Sequence, residues 1–253
     1  MSINNYSFNE KCLCFLKKIE KDFENSILIE EKGLKESEHG FSKYIDGIPI
    51  IELNENEVYK EEVIIHEAYH LRLKFDGMPN IGFELPNGSL SKNNQVYLSW
   101  FAHLFWDKIT HHFFYSKIKN DLDLDIYLTS KKELDNIFEK NEIKGLNPAT
   151  KELTLTGYYL QVWIETNDIN YLEKFRKFLD NKYDLLGVEK GEYLIKIMKE
   201  HPLITFNNCV TVFKKIFDYL HLTQKVKIFK ETSKFNSNKL FNENYVFFNI
   251  QTY

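Results

Sequence analysis

The chain of 253 residues is predicted to adopt an α+β fold that is mostly helical. Three observations support this prediction. Short β-like runs cluster between residues 26 and 56, and apolar residues at helical spacing dominate the sequence on both sides of them. A long aromatic segment without Gly or Pro then covers residues 95–119. We expect a small N-terminal β-sheet packed on one helix, a second long helix, and a helical C-terminal lobe.

The N-terminal elements alternate between the two patterns. Residues 7–25 carry apolar side chains every three or four positions among lysines and glutamates, which predicts an amphipathic helix. Residues 26–30 and 44–53 are β-like runs with glycines between them. Pro49 has no N–H group to donate to a neighbouring strand, so we expect its strand to lie at the edge of the sheet.

Helical spacing returns at residues 57–75, and Gly77 and Pro79 are expected to end that helix. Residues 76–94 are rich in Gly, Pro, Asn and Ser and are expected to form a loop. The aromatic segment at 95–119 is expected to be a buried helix. Further helices are expected at residues 130–141, 151–182, 189–200 and 204–220, followed by a tail at 232–249 that forms a strand or an ordered arm.

The composition argues against some classes of partner and location. The chain has a net charge of −4 and a pI near 6.1, so we expect no binding to nucleic acid or to anionic membranes. No run of 18 or more apolar residues occurs, and the first residues lack the pattern of a secretory signal. Three cysteines, an odd and small number, argue against a disulfide framework. We therefore expect a cytoplasmic protein.

The segment His66-Glu67-Ala68-Tyr69-His70 is the strongest chemical signal in the sequence. On a helix, residues i and i+4 lie one above the other, so both imidazoles can reach the same cation. Zinc favours such nitrogen ligands, and a catalytic zinc site keeps one position open for water. A Glu directly after the first His can take a proton from water that zinc activates. We therefore predict that His66 and His70 bind Zn²⁺ and that Glu67 is the general base.

A catalytic zinc site of this kind needs a third ligand. The candidates are Glu84, His103, Asp107, His111 and His112, and the last four lie on the aromatic helix. Positions 103, 107 and 111 recur every four residues and share one stripe of that helix, whereas His112 lies on the neighbouring stripe. We select His112 as the third ligand and keep the other four as alternatives. Asp107 could instead accept a hydrogen bond from a ligating histidine and orient it.

The arrangement resembles zincin-type metallopeptidases, in particular small cytoplasmic ones of the ImmA/IrrE-like or minimal gluzincin sort. The β-like residues 47–53, the motif segment 63–70 and the later helix with its Asp and His residues carry this resemblance, which covers about residues 40–120. The resemblance implies zinc, a Glu base, a third ligand from the later helix, and proteolysis or a regulatory variant of it. No histidine follows His70 at the position that the extended metzincin motif requires, which argues against that group.

The sequence therefore predicts a zinc-dependent hydrolase, in the first place a metallopeptidase that acts on a peptide or protein substrate. One alternative is a non-catalytic regulatory or sensing protein that retains a zincin-like metal site. Another is a helical partner-binding protein without a metal. Residues 1–125 are expected to form the metal-binding domain and residues 126–253 a helical lobe, unless the two form one continuous domain.

Overall fold

The computed structural model is an α+β fold that is mostly helical in the residues it describes, as the sequence predicts. It describes residues 1–35, 39–78, 80–84, 92–141, 143, 146, 151–183, 185–220, 226–232 and 244–250. A three-stranded sheet lies near the N-terminus, and the C-terminal part is helical. Within those ranges, no helix is both long enough and apolar enough to cross a membrane.

The predicted helices are present, with ends that shift by a few residues. The helices are α1 (Glu10–Phe23), α2 (Lys60–Phe75), α3 (Lys92–Leu122), α4 (Tyr127–Lys140), α5 (Lys151–Thr166), α6 (Ile169–Lys182), α7 (Leu186–Glu200) and α8 (Phe206–Tyr219). The strands are β1 (Leu28–Lys32), β2 (Gly40–Ile45), β3 (Ile48–Asn54), β4 (Asn80–Glu84), β5 (Val226–Thr232) and β6 (Asn244–Ile250).

The N-terminal sheet has the strand order β1-β3-β2. β1 runs parallel to β3, and β2 runs antiparallel to it. The expectation that the strand of Pro49 lies at the sheet edge is therefore wrong, because β3 is central. β1 pairs with β3 only from Ile50 onward, so Pro49 has a single neighbouring strand, β2. No residue of β1 lies opposite Pro49, so the missing N–H group of Pro49 removes no hydrogen bond between β1 and β3.

A two-residue turn at Asp46-Gly47 joins β2 to β3. Both residues have positive φ angles, 50° for Asp46 and 87° for Gly47. Glycine adopts this conformation freely, and aspartate tolerates it better than most residues. An Asp-Gly pair also matches the twist of an antiparallel hairpin. The β-like run at 44–53, which we expected to be one segment, is therefore the end of β2 followed by β3.

The motif helix α2 packs on β2, β3 and α1. Its buried residues are Val63, Ile64, Ile65, Glu67, Ala68, Leu71 and Leu73. Gly40 of β2 permits this close approach. A Cβ atom at Gly40 would lie 2.8 Å from Val63 Cγ1, 3.0 Å from the carbonyl oxygen of Glu52 and 3.5 Å from Glu67 Cγ. The backbone of β2 therefore lies directly against the helix that carries the motif.

Three segments differ from the sequence prediction. The stretch at 151–182 is two helices, because Asn167 has a φ of 45° and the Asp168 carboxylate accepts a hydrogen bond from the backbone N–H of Asn170 at the start of α6. The expected loop at 76–94 contains β4. The tail contains β6, and together with β5 these strands form a second sheet with the order β4-β6-β5. Its strands come from distant parts of the chain, which local spacing cannot reveal.

The chain divides into two compact units. Unit one comprises Met1–Asn80, Ser116–Ile126 and Lys230–Val246, and unit two comprises Ile81–Tyr115, Tyr127–Phe229 and Phe247–Tyr253. These units are not the consecutive segments 1–125 and 126–253, so the division into two domains stays a prediction. In unit two, α5 packs against α4, α6 and α7, and α7 packs against α8.

Candidate metal centre

His66 and His70 lie one turn apart on α2, with both side chains half-buried. Their Nε2 atoms are 3.2 Å apart, and their rings meet edge to face with centroids separated by 4.9 Å. Two nitrogen ligands bound to one tetrahedral zinc ion at about 2.0–2.1 Å are separated by roughly 3.3 Å. The two imidazoles therefore already have the separation of two ligands on one ion.

Glu67 follows the first histidine and is buried, with only 8% of its surface exposed. Its Oε1 atom lies 3.9 Å from His66 Nε2. A water molecule held at the histidine nitrogens would be within reach of this carboxylate, which is the position that a general base requires.

His66, Glu67 and His70 together offer two imidazole nitrogens and a carboxylate on one helix. Imidazole donors suit zinc, and a catalytic zinc site would take one further ligand and a water molecule beside them.

His112, selected from the sequence as the third ligand, packs its ring on Trp163 of α5 with centroids 4.7 Å apart. Burial lowers the pKa of His112 to about 4. Neighbouring residues on a helix point about 100° apart, so His111 and His112 have different surroundings. The choice of His112 as third ligand stays a prediction.

The other candidates have different surroundings. His103 is exposed, one turn before Asp107 on α3. Asp107 Oδ1 lies 3.2 Å from His111 Nε2, so these two side chains contact each other one turn apart on α3. The Glu84 side chain lies outside the described part of the chain.

His111 is buried between two carboxylates and an aromatic ring. Its Nδ1 atom lies 3.1 Å from Glu165 Oε1 of α5, on the opposite side of the ring from the contact with Asp107. Tyr115 stacks on the ring with centroids 4.9 Å apart. The side chain is therefore fixed both in its plane and across its faces.

Glu165 in turn belongs to a buried polar network. Lys108 Nζ donates to Glu165 Oε1 at 2.7 Å, and Gln161 Nε2 donates to Glu165 Oε2 at 2.8 Å. Lys108 also lies 3.4 Å from Asp107 Oδ2. Both oxygens of Glu165 are therefore engaged, and its buried charge is matched by a buried lysine.

These contacts determine the charges in the network. Burial alone would raise the pKa of Glu165, but the charge of Lys108 and the contact with His111 outweigh it and lower that pKa. Burial alone would lower the pKa of Lys108. The charges of Glu165 and Asp107 outweigh this effect and raise that pKa. The pKa of His111 is also raised, because Asp107 and then Glu165 outweigh its burial. The lowered pKa of Glu165 therefore favours an ionised carboxylate beside the Nδ1 atom of His111.

The sequence analysis did not identify Glu165 and Lys108. Both are charged residues that lie buried among mostly apolar neighbours, although Asp107 directly precedes Lys108. Such a residue needs a partner of opposite charge. The sequences of α3 and α5 therefore indicate that buried ion pairs form, but they do not indicate which residues pair with each other.

Comparison with known proteins adds no relative. No protein-family model matches the sequence, and no curated protein or solved structure is significantly similar to it. The resemblance of about residues 40–120 to zincin-type metallopeptidases stays a prediction from the motif residues.

Proposed function

We propose that the protein is a zinc-dependent hydrolase, and specifically a metallopeptidase. The observation that carries the proposal is the pair of His66 and His70, with their Nε2 atoms 3.2 Å apart, and the buried Glu67 beside them. The two histidines and a third ligand would hold the ion. A bound zinc ion would lower the pKa of a water molecule toward neutrality and polarise the carbonyl group of the substrate.

Glu67 would act as the general base in this reaction. It would take a proton from the attacking water and deliver it to the departing amine as the peptide bond breaks. Its position next to His66 and its burial both support this role, since a carboxylate shielded from bulk water is held in one place. Proton transfer by a positioned side chain contributes about 10²–10⁴-fold to rate.

The strand β2 supports a peptide or protein as the substrate. It lies at an edge of the N-terminal sheet, and its Gly40 contacts the motif helix next to Glu67. An extended peptide can add to such an edge through main-chain hydrogen bonds. We propose β2 and not the strand of Pro49 for this role, because β3 is central in the sheet. We also propose that the protein acts in the cytoplasm, where its three free cysteines would stay reduced.

The test combines zinc content with turnover. The full chain is stripped with a chelator, reloaded with Zn²⁺, and assayed by elemental analysis and by cleavage of a quenched-fluorescence peptide library. Glu67→Gln should retain one zinc per chain and lose turnover by at least about 10²-fold. Glu61→Gln is the matched control, because Glu61 lies in the first turn of the same helix and accepts an exposed hydrogen bond from the backbone N–H of Ser7.

The outcomes separate the candidate functions. Zinc binding with loss of cleavage in Glu67→Gln alone supports the peptidase. Cleavage that survives Glu67→Gln contradicts the role of Glu67. Zinc binding without cleavage by the wild-type chain favours the regulatory alternative, and a chain that binds no zinc after reloading contradicts both.

A further inference from the structure

We propose that β2 selects extended peptides that carry apolar side chains at two positions four residues apart and an acidic side chain midway between them. The residues that make this selection are Phe41, Lys43 and Ile45. The inference deepens the proposed function and rests on it, because it takes the edge of β2 as the place where the peptide substrate binds.

The two faces of β2 have different surroundings. Successive side chains of a strand point to opposite faces of the sheet. Gly40 contacts the motif helix α2, so the face that it shares with the other even-numbered residues of β2 lies against that helix. Phe41, Lys43 and Ile45 therefore point away from α2, to a face that we call the outer face of the sheet.

Exposed apolar side chains are concentrated on the outer face. Phe41 is 46% exposed and Ile45 is 47% exposed. Ile48 of β3 lies opposite Ile45, and Leu28 of β1 lies opposite Ile50 of β3, so all of these residues share the face. In the described part of the chain, four of the nine exposed large apolar side chains therefore lie here. Such side chains need no explanation when they are scattered singly, but a group of them indicates an interaction surface.

Lys43 adds a positive charge midway along the outer row of β2. Its Nζ atom contacts Glu52 Oε1, which also receives Lys32 Nζ, and Lys32 in turn contacts Glu30 at 2.9 Å. An ammonium group has three N–H donors, so half-exposed Lys43 can bind a further carboxylate. Opposite charges directly across two antiparallel strands stabilise the pair, and like charges destabilise it. A peptide residue opposite Lys43 should therefore be acidic.

The same charge favours a peptide over a second copy of this chain as the occupant. In a symmetric antiparallel pair of β2 strands that brings Phe41 opposite Ile45, Lys43 lies opposite its own symmetry mate. That arrangement places like charges directly across from each other. A peptide can instead carry a carboxylate at this position, with side chains beside Phe41 and Ile45 that form aromatic and β-branched cross-strand pairs.

The test measures the binding of three fluorescent peptides to the metal-free full chain by fluorescence polarisation. The first has the core Phe-Thr-Glu-Thr-Ile, the second has Lys in place of Glu, and the third has Ser in place of both apolar residues. The first should bind at least about threefold more tightly than either of the others. It should also protect the backbone amides of β2 from hydrogen exchange.

Variants assign these preferences to the outer face. Phe41→Ser/Ile45→Ser should bind the first and third peptides equally, and Lys43→Met should bind the first and second equally. All three side chains are at least partly exposed, so these changes leave the core intact. Ile204→Ser is the matched control, because it removes an apolar side chain that is 74% exposed in the loop between α7 and α8. It should keep both preferences.

Several results would overturn the proposal. They are equal binding of the three peptides, binding of none of them, and a preference for Glu over Lys that survives Lys43→Met. Sedimentation of the free chain tests the other occupant. A dimer that Phe41→Ser/Ile45→Ser abolishes would show that a second copy covers β2.

Cleavage separates this proposal from the proposed function. A zinc-loaded chain that cleaves a peptide library without preference for the pattern is a peptidase, and selection by β2 is then wrong. A chain that binds the first peptide with the expected preferences, but cleaves nothing after zinc loading, contradicts the peptidase and retains the selection by β2.

Discussion

Replacing Gly40 with alanine tests how closely the motif helix packs on β2. The added Cβ atom would lie 2.8 Å from Val63 Cγ1, about 1 Å inside the preferred separation of roughly 3.5–4.0 Å between carbon atoms. Val63 is 6% exposed and has little room to turn away. The second contact, 3.0 Å from the carbonyl oxygen of Glu52, is with the backbone of the central strand. Either the helix or the strand must shift.

The expected loss follows from these contacts. Overpacking of a well-packed core typically costs about 1–3 kcal/mol, and two close contacts with buried groups place Gly40→Ala near the middle of that range, at about 2 kcal/mol. For a chain of this size, this corresponds to a thermal midpoint roughly 4–8 °C lower. Far-UV circular dichroism of the metal-free protein during heating would measure it. Gly40 does not have a positive φ, so the effect is steric rather than conformational.

Gly33→Ala is the matched control, because the nearest atom to a Cβ at Gly33 is Glu55 Oε1, at an ordinary distance of 3.5 Å. It should change the free energy of unfolding by no more than about 0.5 kcal/mol. Val63→Ala should also cost less stability in the Gly40→Ala background than in the wild-type chain, since it removes the atom that clashes. Equal midpoints for Gly40→Ala and Gly33→Ala would refute the close packing of α2 on β2.

Two further predictions concern histidines. Zn²⁺ at a free concentration of a hundred times its Kd should stabilise the wild-type chain by about 2.7 kcal/mol, and thermal melts should show this increment lost in His70→Ala. An increment retained in His70→Ala would contradict the metal site on α2. In the metal-free folded chain, burial lowers the pKa of His112 to about 4, whereas a histidine in the unfolded chain has a pKa of about 6.5. Between these two pH values, the unfolded chain therefore binds a proton more readily than the folded chain does. Stability should therefore fall as the pH drops through this window, by up to about 3 kcal/mol, and His112→Leu should remove most of this fall in urea titrations. An unchanged pH dependence in His112→Leu would show that other groups cause it.

The parts of the structure that depend on local spacing were predictable from the sequence. His66 and His70 lie together because i and i+4 residues share one face of any helix, whatever surrounds it. The position of β3 was not predictable in this way. Pro49 favoured an edge strand, but the strand is central and Pro49 lies just before β1 begins to pair. The register of a neighbouring strand determined the outcome, and a single segment carries no information about that register.

The choice between His111 and His112 depends on residues that are distant in the sequence. Both face α5, where Glu165 contacts His111 and Trp163, two residues earlier, packs on His112. The carboxylates beside His111 raise its pKa, whereas burial lowers the pKa of His112. Spacing along α3 alone cannot distinguish these surroundings. Lys108 could not have done so either, because His111 and His112 follow it by three and four residues and both lie within one helical turn of it.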